Sequence, residues 1–297
     1  MSDATTQKPA GPQAVIVVSS HVVRGSVGNR AAVFALETLG FPVWALPTVI
    51  LPWHPGHGPA TRIVPAAEDF SAVVADLCKS PHLSEVAAIH SGYLGDDEQA
   101  EAVAQLVGAV RSRNPAALYL CDPVIGDERG LYVPEKTAIA IRDTLLPLAS
   151  IITPNRHELE WLTGRKLADN TAVIDAARGL SRERVLVTSA YAMMASNTGN
   201  LLVMENDALM AEHREMAKPP NGTGDLLAAV YLARILNGGS DEKSLQSATA
   251  SVFEILARTA KHNADELTLS REAASLKRPF AMVHMRRLLH PADYGKS

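Results

Sequence analysis

Residues 14–40 read AVIVVSSHVVRGSVGNRAAVFALETLG and contain the plainest indication of the fold class. A continuous apolar run at 14–18 is followed by a polar, glycine-containing turn and then by helical spacing over 28–39. A run that is apolar throughout, rather than at alternate positions, is typical of a strand buried on both faces. The stretch therefore predicts a strand, a turn and a helix of an α/β protein.

The same pattern recurs along the chain and predicts a mostly parallel sheet, because strands and helices alternate. Further apolar runs stand at 86–89, 118–121, 150–153 and 184–188. Helices are predicted over 28–39, 68–78, 96–111, 135–146, 155–163, 170–180, 225–236 and 241–260. Two irregular segments, 51–65 and 126–134, are expected to be loops over a site.

The composition is that of an ordinary globular protein, with 47% hydrophobic and 20% charged residues among 297 and a formal net charge of −4. This balance disfavours nucleic acid and membrane as partners and favours a small molecule. Cys78 and Cys121 form no CxxC pair, so a cytoplasmic location is expected. We expect residues 1–13 to be a flexible tail and residues 14–297 to form a single domain.

Polar residues follow several of the predicted strands. In an open parallel sheet, ligands bind in the crevice beyond the carboxyl ends of the strands. We therefore expect one cleft to contain the polar residues at those ends, namely Ser20, His21, Ser91, Gly92, Tyr93, Asp122, Thr153, Asn155, Thr188 and Ser189.

Two acids stand in the segment CDPVIGD (121–127), five residues apart across a turn that contains glycine. Carboxylates that converge on a crevice repel one another unless a cation lies between them, and oxygen ligands suit Mg²⁺. Asp122 and Asp127 are therefore either a magnesium site or two solvated turn acids.

The segment TPNRHELEWLTG (153–164) has the spacing of a capping box, since Glu158 falls three residues after Asn155. A helix that begins at a strand end also offers free N–H groups to a nucleotide phosphate. Glu158 could in addition hold a metal-bound water.

The segment PPNGTGDLLAAVYLARIL (219–236) places Asp225 just before a run so apolar that its helix should be buried almost all round. Asp225 is either a helix cap, contributing ~1 kcal/mol, or a general base that contributes roughly 10²–10⁴ in rate. The lysine of a GxxxxGK[ST] phosphate loop is absent from the sequence. Gly222, Thr223 and Gly224 could still form a nest of N–H groups for phosphate.

Taken together and in order, these motifs resemble the ribokinase-type small-molecule kinases, and most closely the pyridoxal kinases. The resemblance extends from residue 14 to about residue 260. It is carried by SHVVRGSVGNRAA (20–32), SGYLG (91–95), YLCDPVIGD (119–127), TPNRHELEWLTG (153–164) and NGTGDLLAA (221–229).

The resemblance implies a three-layer α/β/α sandwich with a mostly parallel central sheet, and a homodimer. It implies transfer of the γ-phosphoryl group of ATP to the 5′-hydroxymethyl group of pyridoxal, pyridoxine or pyridoxamine in vitamin B6 salvage. Mg²⁺ is the implied cofactor, with K⁺ or Na⁺ as a monovalent cation.

The resemblance also implies roles for individual residues. Asp225 is the implied base, with Gly222 and Gly224 in the anion hole. The implied nucleotide contacts are Asn155, Glu158, Thr188, Ser189, Met216, Ala217, Lys218 and Thr223. The implied cation ligands are Asp122, Asp127, Thr153 and Glu158. The implied substrate contacts are Ser20, His54, Gly56, Tyr93, Tyr132 and Asp225.

One segment departs from the family pattern. Where pyridoxal kinases usually have Ser-Asn-His-Thr, this chain has Pro52-Trp53-His54-Pro55, which keeps the histidine and loses a hydroxyl. Two alternatives therefore stay open: a kinase for another hydroxymethyl heterocycle such as hydroxymethylpyrimidine, or a non-catalytic protein that binds and delivers pyridoxal phosphate. Asp225 disfavours the first, because those kinases tend to have Cys at its position, and the full set of acids disfavours the second.

Overall fold

The computed structural model describes residues 13–288. The tail expected over residues 1–13 lies outside the described residues except for Gln13. The strands are β1 (Ala14–Val22), β2 (Val43–Leu51), β3 (Val86–Ser91), β4 (Leu118–Cys121), β5 (Gly126–Asp127), β6 (Gly130–Leu131), β7 (Ile151–Ile152), β8 (Arg184–Ala190), β9 (Asn197–Val203), β10 (Ala208–Arg214) and β11 (His284–Arg287).

The α-helices alternate with the strands over the first two thirds of the chain and then follow one another. They are α1 (Asn29–Thr38), α2 (Ala67–Cys78), α3 (Glu98–Arg113), α4 (Glu135–Ala140), α5 (Arg156–Thr163), α6 (Asn170–Gly179), α7 (Thr223–Leu236), α8 (Asp241–Lys261) and α9 (Ala273–Lys277). The helix predicted over 135–146 is only partly α-helical, since a π-helical turn follows at Ile141–Leu145. None of the helices within residues 13–288 combines the length and apolar character that crossing a bilayer requires.

Within residues 13–288, nine strands form one sheet in the order β11-β10-β9-β8-β7-β4-β3-β1-β2. Every neighbouring pair from β2 to β8 is parallel. The pairs from β8 to β11 are antiparallel. The sheet is therefore mostly parallel, as the alternation of strands and helices predicts.

Both faces of the sheet are covered, which explains the continuous apolar runs. In β1, Val15 and Val17 belong to the cluster on the α1, α7 and α8 side. Ile16 and Val18 belong to the cluster on the α2 and α3 side, and all four side chains are fully buried. The result is the predicted three-layer α/β/α arrangement.

Four strands of the large sheet are not predicted from the apolar runs. β2 contains Pro47 and lies at one edge of the sheet, where a missing backbone N–H is tolerated. β9, β10 and β11 pair antiparallel with their neighbours, outside the pattern of alternating strands and helices. β10 also carries a buried acid, Glu212. Its partner, Arg286 on β11, lies 3.3 Å away and is distant in sequence.

The helix that carries Asp225 begins at Thr223, two residues before its predicted start. The N-cap is Gly222, with φ 89°, and no side chain caps this end of the helix. The N-cap interpretation of Asp225 is therefore wrong, because Asp225 is the third residue of the first turn. The expected burial is confirmed, since every side chain from Leu226 to Ala233 is buried.

His90 is an unpaired titratable group in the core. It lies on β3 between Val17 and Leu120, is 1% exposed, and neither ring nitrogen has a hydrogen-bond partner within the described residues. Burial lowers the pKa of His90 to about 4, against 6.5 for the free side chain. The folded state therefore keeps His90 neutral at pH values where the unfolded chain binds a proton.

We predict that His90 makes folding sensitive to acid. Its depressed pKa leaves stability intact above about pH 6.5 and removes it as the pH falls toward 4. By proton linkage the loss at pH 5 is about 2 kcal/mol. Urea unfolding of the wild type and His90→Leu at pH 7.5 and pH 5 measures it. The variant should lose about 2 kcal/mol less on acidification, and an equal loss in both proteins would contradict the prediction.

Candidate active site

A cleft with a volume of about 810 Å³ opens at the carboxyl ends of the parallel strands. Most of the site residues predicted from the sequence line it. They are Ser20, His54, Gly56, Tyr93, Asp122, Asp127, Tyr132, Thr153, Asn155, Glu158, Thr188, Ser189, Gly222, Gly224 and Asp225. The expectation of one cleft at this edge of the sheet is therefore confirmed, because parallel register brings the strand ends together. His21, Ser91 and Gly92, which the sequence also predicts there, are not among the lining residues.

Asp225 lines the cleft from the first turn of α7, and close backbone contacts position that turn. A Cβ atom on Gly222 would overlap the carbonyl oxygen of Ser26, so this turn requires glycine. Gly92 lies against the carboxylate of Asp225 from the end of β3. Burial raises the pKa of Asp225 to about 6, and hydrogen bonds from the N–H of Gly28 and from its own N–H oppose the shift.

The carboxylates of Glu158 and Asp225 disfavour the charge of Asp122. Burial and then the charges of Glu158 and Asp225 raise the pKa of Asp122 well above its usual range. Burial raises the pKa of Glu158 to about 7. No cation among residues 13–288 pairs with Asp122, so the cleft concentrates negative charge that a bound cation would relieve.

Glu158 completes the capping box predicted with Asn155. The Asn155 side chain accepts from the Glu158 N–H at 2.9 Å, and Glu158 Oε2 accepts from the Asn155 N–H at 2.8 Å. Glu158 Oε1 accepts from the N–H groups of Ile125 and Gly126 at 2.8 and 3.3 Å. Glu158 therefore joins α5 to the CDPVIGD turn. A cation could bind only to the carboxylate lone pairs that these three N–H groups leave unoccupied.

Asp127 lies at the rim of the cleft and is paired with Arg129. Arg129 donates to both oxygens of Asp127, with Nη2–Oδ2 at 2.6 Å, and this lowers the pKa of Asp127. Within the part of the chain that the structure describes, no three His, Cys, Asp or Glu side chains form a ready metal-ligand group. The donor set fits Mg²⁺ only in its usual manner, with one or two carboxylates and further ligands from phosphate and water.

The segment 51–65 contributes several residues to the wall of the cleft, as expected of a loop over a site. Leu51, His54, Pro55, Gly56 and Arg62 all line it. His54 Nδ1 accepts from the Gly56 N–H at 3.0 Å, and burial lowers the pKa of His54. The neutral tautomer that this bond requires carries its proton on Nε2, which gives the cleft a hydrogen-bond donor.

The other predicted loop is a short hairpin, β5–β6. Asp127, Arg129, Tyr132 and Pro134 from this hairpin and the residues after it line the cleft. Tyr132 is 50% exposed, so its ring stands at the mouth of the cleft. The hairpin is held to α5 through Glu158, as described above.

Two residues at the cleft have left-handed backbone conformations that are uncommon outside glycine. Val124 in the CDPVIGD turn has φ 44°, and Ser189 at the end of β8 has φ 53°. Such conformations cost of order 1–3 kcal/mol each and concentrate at functional sites. Both residues line the cleft, so the strain lies where the strand ends bend toward a ligand.

Four predicted nucleotide contacts do not line the cleft in this structure: Met216, Ala217, Lys218 and Thr223. Met216 packs against the core cluster beneath α7 and α8. Ala217 and Lys218 are exposed. The Thr223 hydroxyl donates to the Pro220 carbonyl at 3.5 Å, while its neighbours Gly222 and Gly224 do line the cleft.

The structure adds basic and polar residues that the sequence did not reveal. Arg62 donates to the Gly95 carbonyl at 2.6 Å and to the Tyr93 hydroxyl at 3.3 Å. Arg129 and Asn221 also line the cleft. Arg62 and Arg129 lie inside the two loops predicted over a site. Nothing else in the sequence indicates that they line the cleft.

Comparison with known proteins identifies the family. Residues 67–269, more than half of the chain, match the family described as phosphomethylpyrimidine kinase. The pyridoxal kinase PdxY of Granulibacter bethesdensis is 38% identical over 85% of this chain and 92% of its own length. The chain belongs to this kinase family and, within it, to the pyridoxal kinases.

Further pyridoxal kinases agree with this placement. The pyridoxal kinase PdxY of Rubrobacter xylanophilus is 36% identical over 92% of this chain and 97% of its own length. The structure of pyridoxal kinase from Leishmania donovani in complex with ADP and pyridoxamine matches with a TM-score of 0.87 and 25% identity. That match covers 93% of this chain and 100% of the other.

Proposed function

We propose that the cleft transfers the γ-phosphoryl group of ATP to the 5′-hydroxymethyl oxygen of pyridoxal, giving pyridoxal 5′-phosphate in vitamin B6 salvage. Pyridoxine and pyridoxamine are the related substrates to compare. The observation that carries the proposal is Asp225, a half-buried carboxylate in the first turn of α7 that lines the cleft beside Gly222 and Gly224. Membership of the pyridoxal kinases supports the choice of substrate.

Asp225 takes the proton of the substrate hydroxyl as the alkoxide oxygen bonds to the γ-phosphorus. The bond between that phosphorus and the β–γ bridging oxygen breaks, and ADP leaves with the electron pair. With a pKa of about 6, Asp225 is mostly ionised at pH 7 and remains a stronger base than an exposed Asp. The N–H groups at Gly222 and Gly224 face the charge on the transferring group.

The proposed cation site consists of Asp122, Asp127 and Glu158 for Mg²⁺, with Thr153 beside a monovalent K⁺ or Na⁺. Bound Mg²⁺ would neutralise phosphate charge during transfer. The crowding of carboxylates in the cleft supports this assignment, because their raised pKa values mark charge without a protein counterion. Asp127 must leave Arg129 to take part.

The nucleotide is proposed to bind at the N-terminus of α5 and the end of β8, through Asn155, Glu158, Thr188 and Ser189. Met216, Ala217, Lys218 and Thr223 stay proposed contacts. They require a shift of the segment before α7 and of the first residue of the helix. Tyr132, which follows the β5–β6 hairpin, is proposed to close over the phosphates and keep water from the γ-phosphoryl group. Ser20, Gly56 and Tyr93 are proposed to hold the pyridine ring.

Three broader features belong to the same proposal. Residues 14–297 form one kinase domain, the active unit is a homodimer, and the protein acts in the cytoplasm. Nine strands in one sheet support the single domain. The two isolated cysteines support a reducing compartment.

We predict ATP-dependent phosphorylation of pyridoxal with Mg²⁺, and a kcat about 10²–10⁴ lower in Asp225→Asn, because Asn keeps the shape and does not accept the proton. The assay follows ADP release over pyridoxal, pyridoxine, pyridoxamine and hydroxymethylpyrimidine. The matched control is Asp143→Asn, an exposed carboxylate outside the cleft.

Absence of turnover on every pyridine alcohol would overturn the proposed function. Turnover of hydroxymethylpyrimidine alone would favour the alternative, a hydroxymethylpyrimidine kinase. This substrate is included because the matched family is described as phosphomethylpyrimidine kinase. Binding of pyridoxal phosphate without any turnover would select the delivery protein. A kcat of Asp225→Asn within about threefold of the wild type would instead remove the base assignment and leave the fold unaffected.

We predict that His54 supplies the ring contact that Pro55 does not. Its Nε2–H is a donor in the cleft, whereas proline has neither hydroxyl nor N–H. His54→Leu should raise the KM for pyridoxal about tenfold, the effect of one hydrogen bond, and leave the KM for ATP unchanged. His82→Leu, an exposed histidine outside the cleft, is the control. An unchanged KM for pyridoxal in His54→Leu would remove this contact.

A further inference from the structure

Glu266 is a poorly exposed carboxylate outside the cleft that contacts two segments bordering it. It lies in the connection between α8 and α9, and its side chain is 12% exposed. Its Oε1 is 2.8 Å from Nε2 of His57 and 3.9 Å from Nη1 of Arg24. Its Oε2 accepts from the Ser26 N–H at 3.3 Å.

His57 forms one short 3-10 turn together with Pro55 and Gly56. Pro55 and Gly56 line the cleft, whereas His57 does not and directs its ring to Glu266. We call residues 54–58 the substrate loop. The notable feature of the substrate loop is that its 3-10 turn buries no residue, so hydrophobic packing does not fix its position.

Local hydrogen bonds shape the substrate loop without attaching it to the body of the protein. The His57 N–H donates to the His54 carbonyl at 2.9 Å, and the Gly58 N–H donates to the Pro55 carbonyl at 3.0 Å. The Gly56 N–H donates to His54 Nδ1 at 3.0 Å. Each of these bonds lies within the substrate loop. His57 joins the loop to the α8–α9 connection, closely to Glu266, 209 residues away in sequence, and more loosely to Asp265, whose Oδ2 is 4.0 Å from His57 Nδ1.

The segment after β1 leaves space for the Glu266 carboxylate. Gly25 has φ 119°, and a Cβ atom there would lie 2.8 Å from Glu266 Oε1, so a larger residue would displace the carboxylate. Arg24 grips both oxygens of Asp265 at 2.8 and 2.7 Å, and the Ser26 hydroxyl donates to the Leu267 carbonyl at 3.0 Å. The Ser26 carbonyl in turn packs against Gly222 in the turn before Asp225.

We propose that Glu266 is a positioning residue which, through His57, holds the substrate loop over the cleft in its substrate-binding conformation. Glu266, the nearer of the two carboxylates that face His57, thereby sets the place of His54 relative to the Gly222–Asp225 turn. The charge-assisted bond is stronger than a neutral one and is shielded by the low exposure of Glu266. This inference rests on the proposed function for the identity of the substrate.

Hydrogen exchange tests the attachment without any substrate. In His57→Leu and in Glu266→Ala, the Gly56, His57 and Gly58 amides should exchange about tenfold faster or more, because local opening no longer breaks a charge-assisted bond. His57→Gln keeps an N–H donor near the position of Nε2 and should exchange like the wild type. The control is His82→Leu, which removes an exposed His–Glu pair at 2.7 Å remote from the cleft.

Steady-state kinetics on the same proteins test the consequence for the substrate. His57→Leu and Glu266→Ala should raise the KM for pyridoxal about tenfold, the effect of one lost hydrogen bond, with kcat and the KM for ATP within about twofold. His57→Gln should restore the KM for pyridoxal. A merely structural role would lower kcat or the fraction of folded enzyme and leave the KM for pyridoxal unchanged.

The outcomes separate the two claims. Unchanged exchange of the Gly56–Gly58 amides in both His57→Leu and Glu266→Ala overturns the proposal, whatever the substrate is. Faster exchange with an unchanged KM for pyridoxal also overturns it, because the loop would then be held without positioning the substrate. A wild type that phosphorylates no pyridine alcohol overturns the proposed function instead, and the exchange rates still decide whether Glu266 holds the loop.

Discussion

The crowding of Asp122, Glu158 and Asp225 in one cleft is the constraint on which the functional part of this structure depends. Their pKa values are all raised, by burial in each case and for Asp122 also by its two neighbours. An unliganded protein gains nothing from such an arrangement. A kinase does, because the substrates bring phosphate charge and a divalent cation, and Asp225 becomes a base of useful strength.

The fold tolerates this crowding because well-anchored elements surround the cleft. Strands buried on both faces provide rigid ends. Glu158 accepts from three backbone N–H groups, one through the capping box of α5 and two from the CDPVIGD turn. The first turn of α7 is placed by a glycine contact with the Ser26 carbonyl rather than by a polar cap. Strained residues at Val124 and Ser189 are then held by their surroundings.

The sequence predicts the parallel part of the sheet because strands buried on both faces leave continuous apolar runs, as at 14–18. It predicts the cleft because parallel strands end at one edge, which brings Asp122, Thr153 and Thr188 together. It does not predict β2, whose pattern is interrupted by Pro47, or the placing of Arg129 on Asp127. Pairs such as His57–Glu266 depend on how distant segments pack and leave no local pattern.

The most direct test is whether the ionised Asp225 carboxylate destabilises the folded protein. The free energy of unfolding is measured for the unliganded wild type and for Asp225→Asn, at pH 8 and at pH 4. A pKa raised from 3.8 to about 6 gives stability that is present below 3.8 and lost as the pH rises through 6. The variant should be more stable than the wild type by about 3 kcal/mol at pH 8 and nearly equal to it at pH 4. Asp143→Asn, at an exposed site, should show no such gain. An Asp225→Asn protein that is no more stable than the wild type at pH 8 would contradict the account.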